Sequence, residues 1–273
     1  MTHTRKLIWL CLLLTPLLLG AYALVEPYWL RVRQVTIADA DVPAGFDGLR
    51  IAFLADIHCG PYFSPERVAD VVELTNSLRP DLILLGGDYV HAGPQYIAKC
   101  FAELEELHAP LGVYGVLGNH DHWQGPWTVR REMDRLGFGQ LDNRALWIQR
   151  GTSRIKLGGV GDVWEDVQTP QPTVHDVGEG DFVILVSHNP DFAEELTTDL
   201  VDVMLSGHTH GGQVTLFGLW APATCSRYGQ KYRGGVVQAD HTTVVVSNGI
   251  GTVGLPVRFF ARPEVVLVTL RRR

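Results

Sequence analysis

The sequence predicts an α/β fold in which two mixed β-sheets pack face to face with helices outside, behind an N-terminal membrane segment. Three observations lead there. A charge-free apolar stretch opens the chain from Leu7 to Val25. Short apolar runs ending abruptly in polar residues then recur five times before residue 211, several of them followed by amphipathic stretches. The second half adds short strand candidates spaced like hairpins and meanders. Runs that are apolar on both alternations read as strands buried on both faces, and helices between them imply largely parallel pairing.

The first element follows Arg5 and Lys6 and reads "LIWLCLLLTPLLLGAYALV". At a helical rise of about 1.5 Å per residue it can just cross a bilayer core of ~30 Å. The triplet "AYA" at 21–23 also resembles a signal-peptide cleavage site. The apolar run continues past it, however, and Tyr28 and Trp29 suit an interfacial belt, so residues 1–26 are expected to remain as an anchor. Arg5, Lys6 and the terminal amine outweigh Arg31 and Arg33 by a small margin, which favours an extracytoplasmic domain. Residues 27–47, with "DADVPAGFDG", read as a linker, and 48–273 as the folded domain.

Within that domain the five runs are "RIAFLADIH", "DLILLGGD", "GVYGVLGNHD", "DFVILVSHNPD" and "VDVMLSGHTH". Helical periodicity appears over Pro65–Leu78, Pro94–Leu107 and Pro126–Leu136. Further strands are expected in "SRIKLGGV", "GGQVTLFG", "TTVVVSN" and "EVVLVTL", and the closing "RRR" reads as a solvated tail. With 273 residues, 46% of them hydrophobic, the chain can bury a large core, and disordered or fibrous classes are excluded. A formal net charge of −7 argues against a nucleic-acid partner, so any phosphate chemistry needs its own local positive charge. Four cysteines without CxxC spacing say little about redox compartment.

The polar residues fall where chemistry is expected. Ligands in open α/β sheets bind outside the carboxyl ends of strands, and Asp56, His58, Asp88, Asn119, His120, Asp121, His188, His208 and His210 all sit there. Asp56 and His58, like His208 and His210, are two apart, so on extended backbone each pair would point to one side. Carboxylate, imidazole and amide donors without thiolate suit Mn, Fe or Zn, and they exceed what one ion needs. Two divalent transition-metal ions sharing a carboxylate, ~3.5–4 Å apart, would use them all and would acidify a bridging water to hydroxide. With two carboxylates and that hydroxide the local charge is about +1, an anion trap in an acidic protein.

The ordered blocks "DIH", "GGD", "GNHD", "SH" and "GHTH" resemble the signature blocks of the calcineurin-like metallophosphoesterase superfamily. The resemblance implies a four-layer αββα sandwich with a dinuclear site that hydrolyses phosphoester or pyrophosphate bonds. It assigns Asp56, His58 and His210 to one metal, Asn119, His188 and His208 to the other, and Asp88 to both. His120 becomes the general acid, with Asp121 orienting its ring. The longer strings "GHTHGGQ" and "SHNPD", with the anchor leading into "EPYWL", look like a membrane-associated bacterial branch. That branch includes enzymes of lipid A synthesis that split the pyrophosphate of UDP-2,3-diacylglucosamine, which implies a membrane setting and a lipid-linked substrate. Broad hydrolysis of soluble phosphoesters, or a non-catalytic metal-bound scaffold at the envelope, are the alternatives.

Outside the blocks, Arg227, Lys231 and Arg233 in "CSRYGQKYRGG" are candidates to hold a phosphate or nucleotide. Trp123 and Trp127 are candidates for an apolar wall beside the site. His91, His108, His122, His175 and His241 read as ordinary surface or core side chains, although His122 is close enough to "GNHD" to reach substrate.

Overall fold

The structure is a computed structural model describing residues 3–273, apart from the side chains of residues 6–8. The terminal amine and the Lys6 side chain, counted in the charge balance above, lie outside the described residues. In chain order the elements are α1 (His3–Val25), β1 (Arg31–Asp39), β2 (Arg50–Leu54), α2 (Pro65–Ser77), β3 (Leu82–Leu85), α3 (Ile97–Leu104), β4 (Val113–Gly115), α4 (Asn119–Gln124) and α5 (Pro126–Arg135). There follow β5 (Gly139–Gln140), β6 (Arg144–Arg150), β7 (Ser153–Gly159), α6 (Gln171–Val174), β8 (Val183–Val186), β9 (Val203–Ser206), β10 (Gly235–Gln238), β11 (Thr243–Val246) and β12 (Glu264–Arg272).

The strands form two six-stranded mixed sheets, ordered β1-β12-β2-β3-β4-β5 and β10-β11-β9-β8-β7-β6. Alternation along each strand decides what fills the layers. Ile51 and Phe53 point between the sheets, where they meet Leu84, Ile184, Leu205, Val245 and Val268. Ala52 and Leu54 point the other way, against Val68 and Val71 of α2, Phe101 of α3 and Met133 of α5. The outer face of the second sheet buries Leu185, Met204 and Val244 under Phe192, Leu196 and Tyr232. There the covering layer is thin: α6 and short 3-10 turns, in place of long helices. α1 stands apart, its described side chains almost all exposed, long and apolar enough to cross a membrane.

Two sequence expectations are corrected. Residues 27–47 are not a simple linker, because β1 pairs in parallel with β12 along its whole length. Its "RVRQVTIAD" hides this role, since only Val35 is buried and the strand is an edge whose Arg31 and Arg33 also bond to the buried Glu264 of β12. The "GGQVTLFG" strand is also absent as such; residues 211–218 form a loop with isolated bridges at Val214 and Leu216.

At the edge of the sheets remote from the polar cluster, Asp202 lies near Asp39 and Asp41. Burial, together with these two carboxylates, raises its pKa from 3.8 to about 7. The folded state therefore holds the proton more tightly, and stability falls as pH rises from the unfolded value towards 7, then levels off. Asp202→Asn keeps an oxygen for the Val183 N–H, which Asp202 Oδ2 accepts at 2.6 Å. Its melting temperature is expected to exceed that of the parent by about 2–4 °C at pH 8 and to match it near pH 4, as read by thermal scans across that range.

Candidate metal centre

The polar ends of β2, β3, β8 and β9, with the start of α4, meet in one buried cluster. Asp56, His58, Asp88, Asn119, His188, His208 and His210 are all less than 9% exposed. Their convergence does not come from extended strand geometry, as the two-residue spacing suggested. Asp56, His58, Asp88, His208 and His210 all have left-handed backbone, with φ between 50° and 69°. That conformation costs a residue with a Cβ roughly 1 kcal/mol or more, a strain characteristic of functional sites. β2, β3 and β9 thus run into kinks that turn these side chains inward, whereas His188 after β8 has no such kink.

Asp88 is central. Its Oδ2 lies 3.5 Å from His58 Nε2 and 3.3 Å from His188 Nε2, facing two groups of donors at once. On one side His58 Nε2 is 3.0 Å from His210 Nε2, which is 3.6 Å from Asp56 Oδ1. On the other, His188 Nε2 is 3.2 Å from both Asn119 Oδ1 and His208 Nδ1. His188 Nδ1 donates to Gly86 O and His208 Nε2 to Cys225 O, so each ring turns its other nitrogen inward. His58 Nδ1 and His210 Nδ1 are buried without partners. Close approach needs glycine at two points: a Cβ on Gly118 would stand 2.3 Å from Asp88 Oδ1, and one on Gly207 would stand 2.4 Å from Asp56 Oδ2.

Opposed imidazole nitrogens and carboxylates this close, with nothing else to satisfy them, fit divalent cations well. Asp56, His58 and His210 have ligand atoms within 4.8 Å of one another, as do Asp56, Asp88 and His188. Protonation divides the cluster: burial alone would lower His188, but the carboxylates of Asp88 and Asp56 raise it well above the usual histidine range, and burial raises Asp56 to about 7, so a cation bound there would displace protons. Burial holds His58 and His210 well below the usual histidine range and pushes His208 down to about 3, leaving neutral donors at pH 7. Burial alone would raise Asp88, but the His188, His58 and His120 rings around it hold it well below the usual carboxylate range.

The expected role of Asp121 is corrected. Its carboxylate does not touch the His120 ring; it accepts the backbone N–H groups of Asp88, Tyr89 and Gly118 at 2.7–3.0 Å. It thus clamps the kink that carries Asp88. The hydrogen-bond partner of His120 is instead His91, with Nδ1 to Nδ1 at 3.1 Å, and the ring also packs edge-on to His58 and against Trp123. His91 lies outside every block and reads in the sequence as an ordinary surface or core side chain.

The basic candidates are corrected too. A cavity of about 470 Å³ opens over the cluster, lined by Asp88, Asn119, His120, His208 and His210 together with Trp123, Trp164, Val214 and Val253. None of Arg227, Lys231 and Arg233 lines it. Lys231 pairs with Glu194, Arg233 donates to Gly218 O, and the Arg227 side chain is exposed elsewhere. Trp123 lines the cavity, whereas Trp127 does not and is 80% exposed. Trp164, from an irregular loop without a motif, meets His208 edge-on with ring centroids 4.4 Å apart. Arg258, also missed, is wholly buried; its guanidinium donates to the carbonyls of Gly249, Gly251 and Ala261, beside Asp56 and His210.

A two-sheet α/β sandwich with such donors at its strand ends defines a metal-dependent hydrolase. Comparison with known proteins narrows the class. The Calcineurin-like phosphoesterase family profile matches residues 49–212. The chain is 33% identical to the metallophosphoesterase YkuE of Bacillus subtilis over 90% of this chain and 87% of that protein. It is 32% identical to the phosphodiesterase YaeI of Escherichia coli over 90% of each. Among solved structures, the NAD nucleotidase NadN of Haemophilus influenzae shares the fold, with a TM-score of 0.51 and 16% identity over 74% of this chain and 45% of that one. The chain belongs to the calcineurin-like phosphoesterase family and is a metal-dependent phosphoesterase that uses divalent cations.

Proposed function

We propose that the chain is a membrane-anchored phosphodiesterase or pyrophosphatase with a dinuclear centre, acting on an amphiphilic envelope substrate such as UDP-2,3-diacylglucosamine. The observation that carries the dinuclear reading is the placement of Asp88 Oδ2 between His58 Nε2 and His188 Nε2. Asp56, His58 and His210 would hold one cation, Asn119, His188 and His208 the other, and Asp88 would serve both. Such a pair, when bound, would supply Lewis acidity, offsetting phosphate charge and lowering the pKa of water at the site.

The remaining steps belong to side chains. His120 keeps Nδ1 on His91 and lines the cavity, so its Nε2 is free to give a proton to the departing oxygen as the P–O bond breaks. Asp121 keeps Asp88 in place through the backbone. Trp123, Trp164, Val214 and Val253 offer apolar surface to the part of the substrate that does not react.

An amphiphilic substrate is supported by the apolar side of this cavity and by α1, which would confine the enzyme to a membrane. A second reading, hydrolysis of soluble phosphodiesters, draws on the phosphodiesterase YaeI. The two separate when metal-loaded chain is given UDP-2,3-diacylglucosamine, an envelope lipid extract and bis(p-nitrophenyl) phosphate in parallel, with products identified by mass. Release of phosphorylated lipid with higher kcat/KM than for the soluble diester is expected; the reverse order would replace the amphiphile with the soluble substrate.

A further inference from the structure

We propose that the apolar loop Val214–Trp220 inserts into the headgroup–acyl boundary of the bilayer that α1 enters, so that the catalytic cavity opens along the lipid surface. The proposal rests on the reading of α1 as a retained anchor and adds a second, independent membrane contact.

The exit point of α1 is fixed to the domain. Glu26, fully buried just past its end, accepts the N–H groups of Phe260 at 2.6 Å and Ala261 at 2.8 Å, and Arg258 N–H bonds to Ala23 O at 2.9 Å. Tyr22, in the last turn of α1, packs on Phe259 and Phe260 with centroids 5.5 and 5.0 Å away. Phe217 packs on the same Phe260 at 5.3 Å, and Thr215 N–H bonds to Phe259 O. The loop therefore stands abreast of the point where the helix leaves the domain.

What it presents there is apolar. Leu219 is 82% exposed, Leu216 58%, Phe217 53% and Trp220 51%, with Leu255 nearby in sequence to the docking segment at 70%. Large leucines and aromatics concentrated at one place on a surface mark an interaction site. The backbone is suited to lipid, because the N–H groups from Leu216 to Leu219 are all bonded within the loop, to Trp220 O, Thr215 O, Thr215 Oγ1 and Leu216 O. A hairpin closed on itself enters an apolar phase without stranding donors. Charge is favourable as well. From Val203 to Ala239 the chain contains no Asp or Glu; Arg227 and Arg233 lie in this stretch, while its Lys231 pairs with Glu194. A basic flank beside an apolar tip suits anionic headgroups.

The loop also reaches the site. Val214, at its start, lines the cavity, next to Gln213 and Gly212 and two residues from the 3-10 turn that carries His210. An amphiphile in the outer edge of the bilayer would thus slide its phosphate towards the cluster while its acyl chains stay among lipids.

The test places an environment-sensitive maleimide dye on Leu219→Cys, in a Cys11→Ser, Cys225→Ser background of the full chain in phosphatidylethanolamine–phosphatidylglycerol vesicles. A second dye site, Asp240→Cys, sits at the far edge of the sheets. Blue-shifted emission at 219 that is quenched by lipids spin-labelled near the headgroup, with no shift at 240, is expected. So is a loss of about tenfold in kcat/KM for a vesicle-borne substrate in Leu216→Asp/Leu219→Asp, with hydrolysis of soluble bis(p-nitrophenyl) phosphate unchanged. A chain that floats with vesicles while the dye at 219 remains in water overturns the loop contact and leaves the anchor standing. A chain that fails to float removes the anchor and the loop contact together. Shielding that depends on protein concentration, without quenching by lipid, assigns the loop to a second copy of the chain and overturns the proposal.

Discussion

Asp88→Asn is expected to bind fewer than one equivalent of divalent metal where the parent binds about two, and to lose at least about 10³-fold in kcat/KM. The substitution is close to isosteric, and its amide oxygen can still accept the His120 N–H that Asp88 Oδ1 accepts at 2.8 Å. The fold should survive, since the variant removes a buried charge without removing volume. What disappears is the negative oxygen facing His58 and His188 together. On the proposed assignment, a change at Asp56 or His208 is expected to weaken one side of the centre and a change at Asp88 to weaken both. Metal analysis after gel filtration, read beside a thermal scan, separates this from misfolding.

His120→Ala should behave differently. It is expected to keep the full complement of metal but lose about 10²–10⁴-fold in kcat, depending on the leaving group. An alkoxide leaving group needs its proton in the transition state and should show the larger loss, whereas p-nitrophenolate departs without help and should show the smaller. The hydrogen bond between His91 and His120 makes His91 a positioning residue for the same step. His91→Phe should therefore reproduce a weaker version of the leaving-group dependence, and His91→Asn should recover part of it. In the His120→Ala background His91→Phe should cost little more. Equal losses for good and poor leaving groups in His120→Ala would remove the proton-donor role.

Much of this was legible in the sequence because the chemistry is carried by short blocks at strand ends. Apolar runs of four or five residues specify buried strands, so "DLILLGGD" and "VDVMLSGHTH" place Asp88, His208 and His210 without any knowledge of long-range contacts. The helices Pro65–Ser77 and Pro126–Arg135 likewise follow from proline at the first turn and a helical apolar period. Less was legible wherever partners far apart in sequence decide the outcome. β1 looks polar because what holds it, a backbone ladder with β12 together with ion pairs to Glu264, lies more than 230 residues away. Arg258 reads as a surface arginine until the carbonyls of Gly249 and Gly251 are seen to surround it. Neighbouring positions misled for Asp121, which follows His120 directly yet turns its carboxylate to the backbone of Asp88. The left-handed kinks were invisible for another reason: aspartate and histidine accept φ near 50° only because the surrounding site compels it.

Asp56, His58, Asp88, Asn119, His188, His208 and His210 are proposed to hold a pair of cations around one shared carboxylate. Anomalous diffraction from crystals of the full chain grown with Mn²⁺ tests this arrangement most directly. Two peaks about 3.5–4 Å apart are expected, with the Asp88 carboxylate between them, Asp56, His58 and His210 around one, and Asn119, His188 and His208 around the other. A single peak, or two peaks that do not share Asp88, would contradict it.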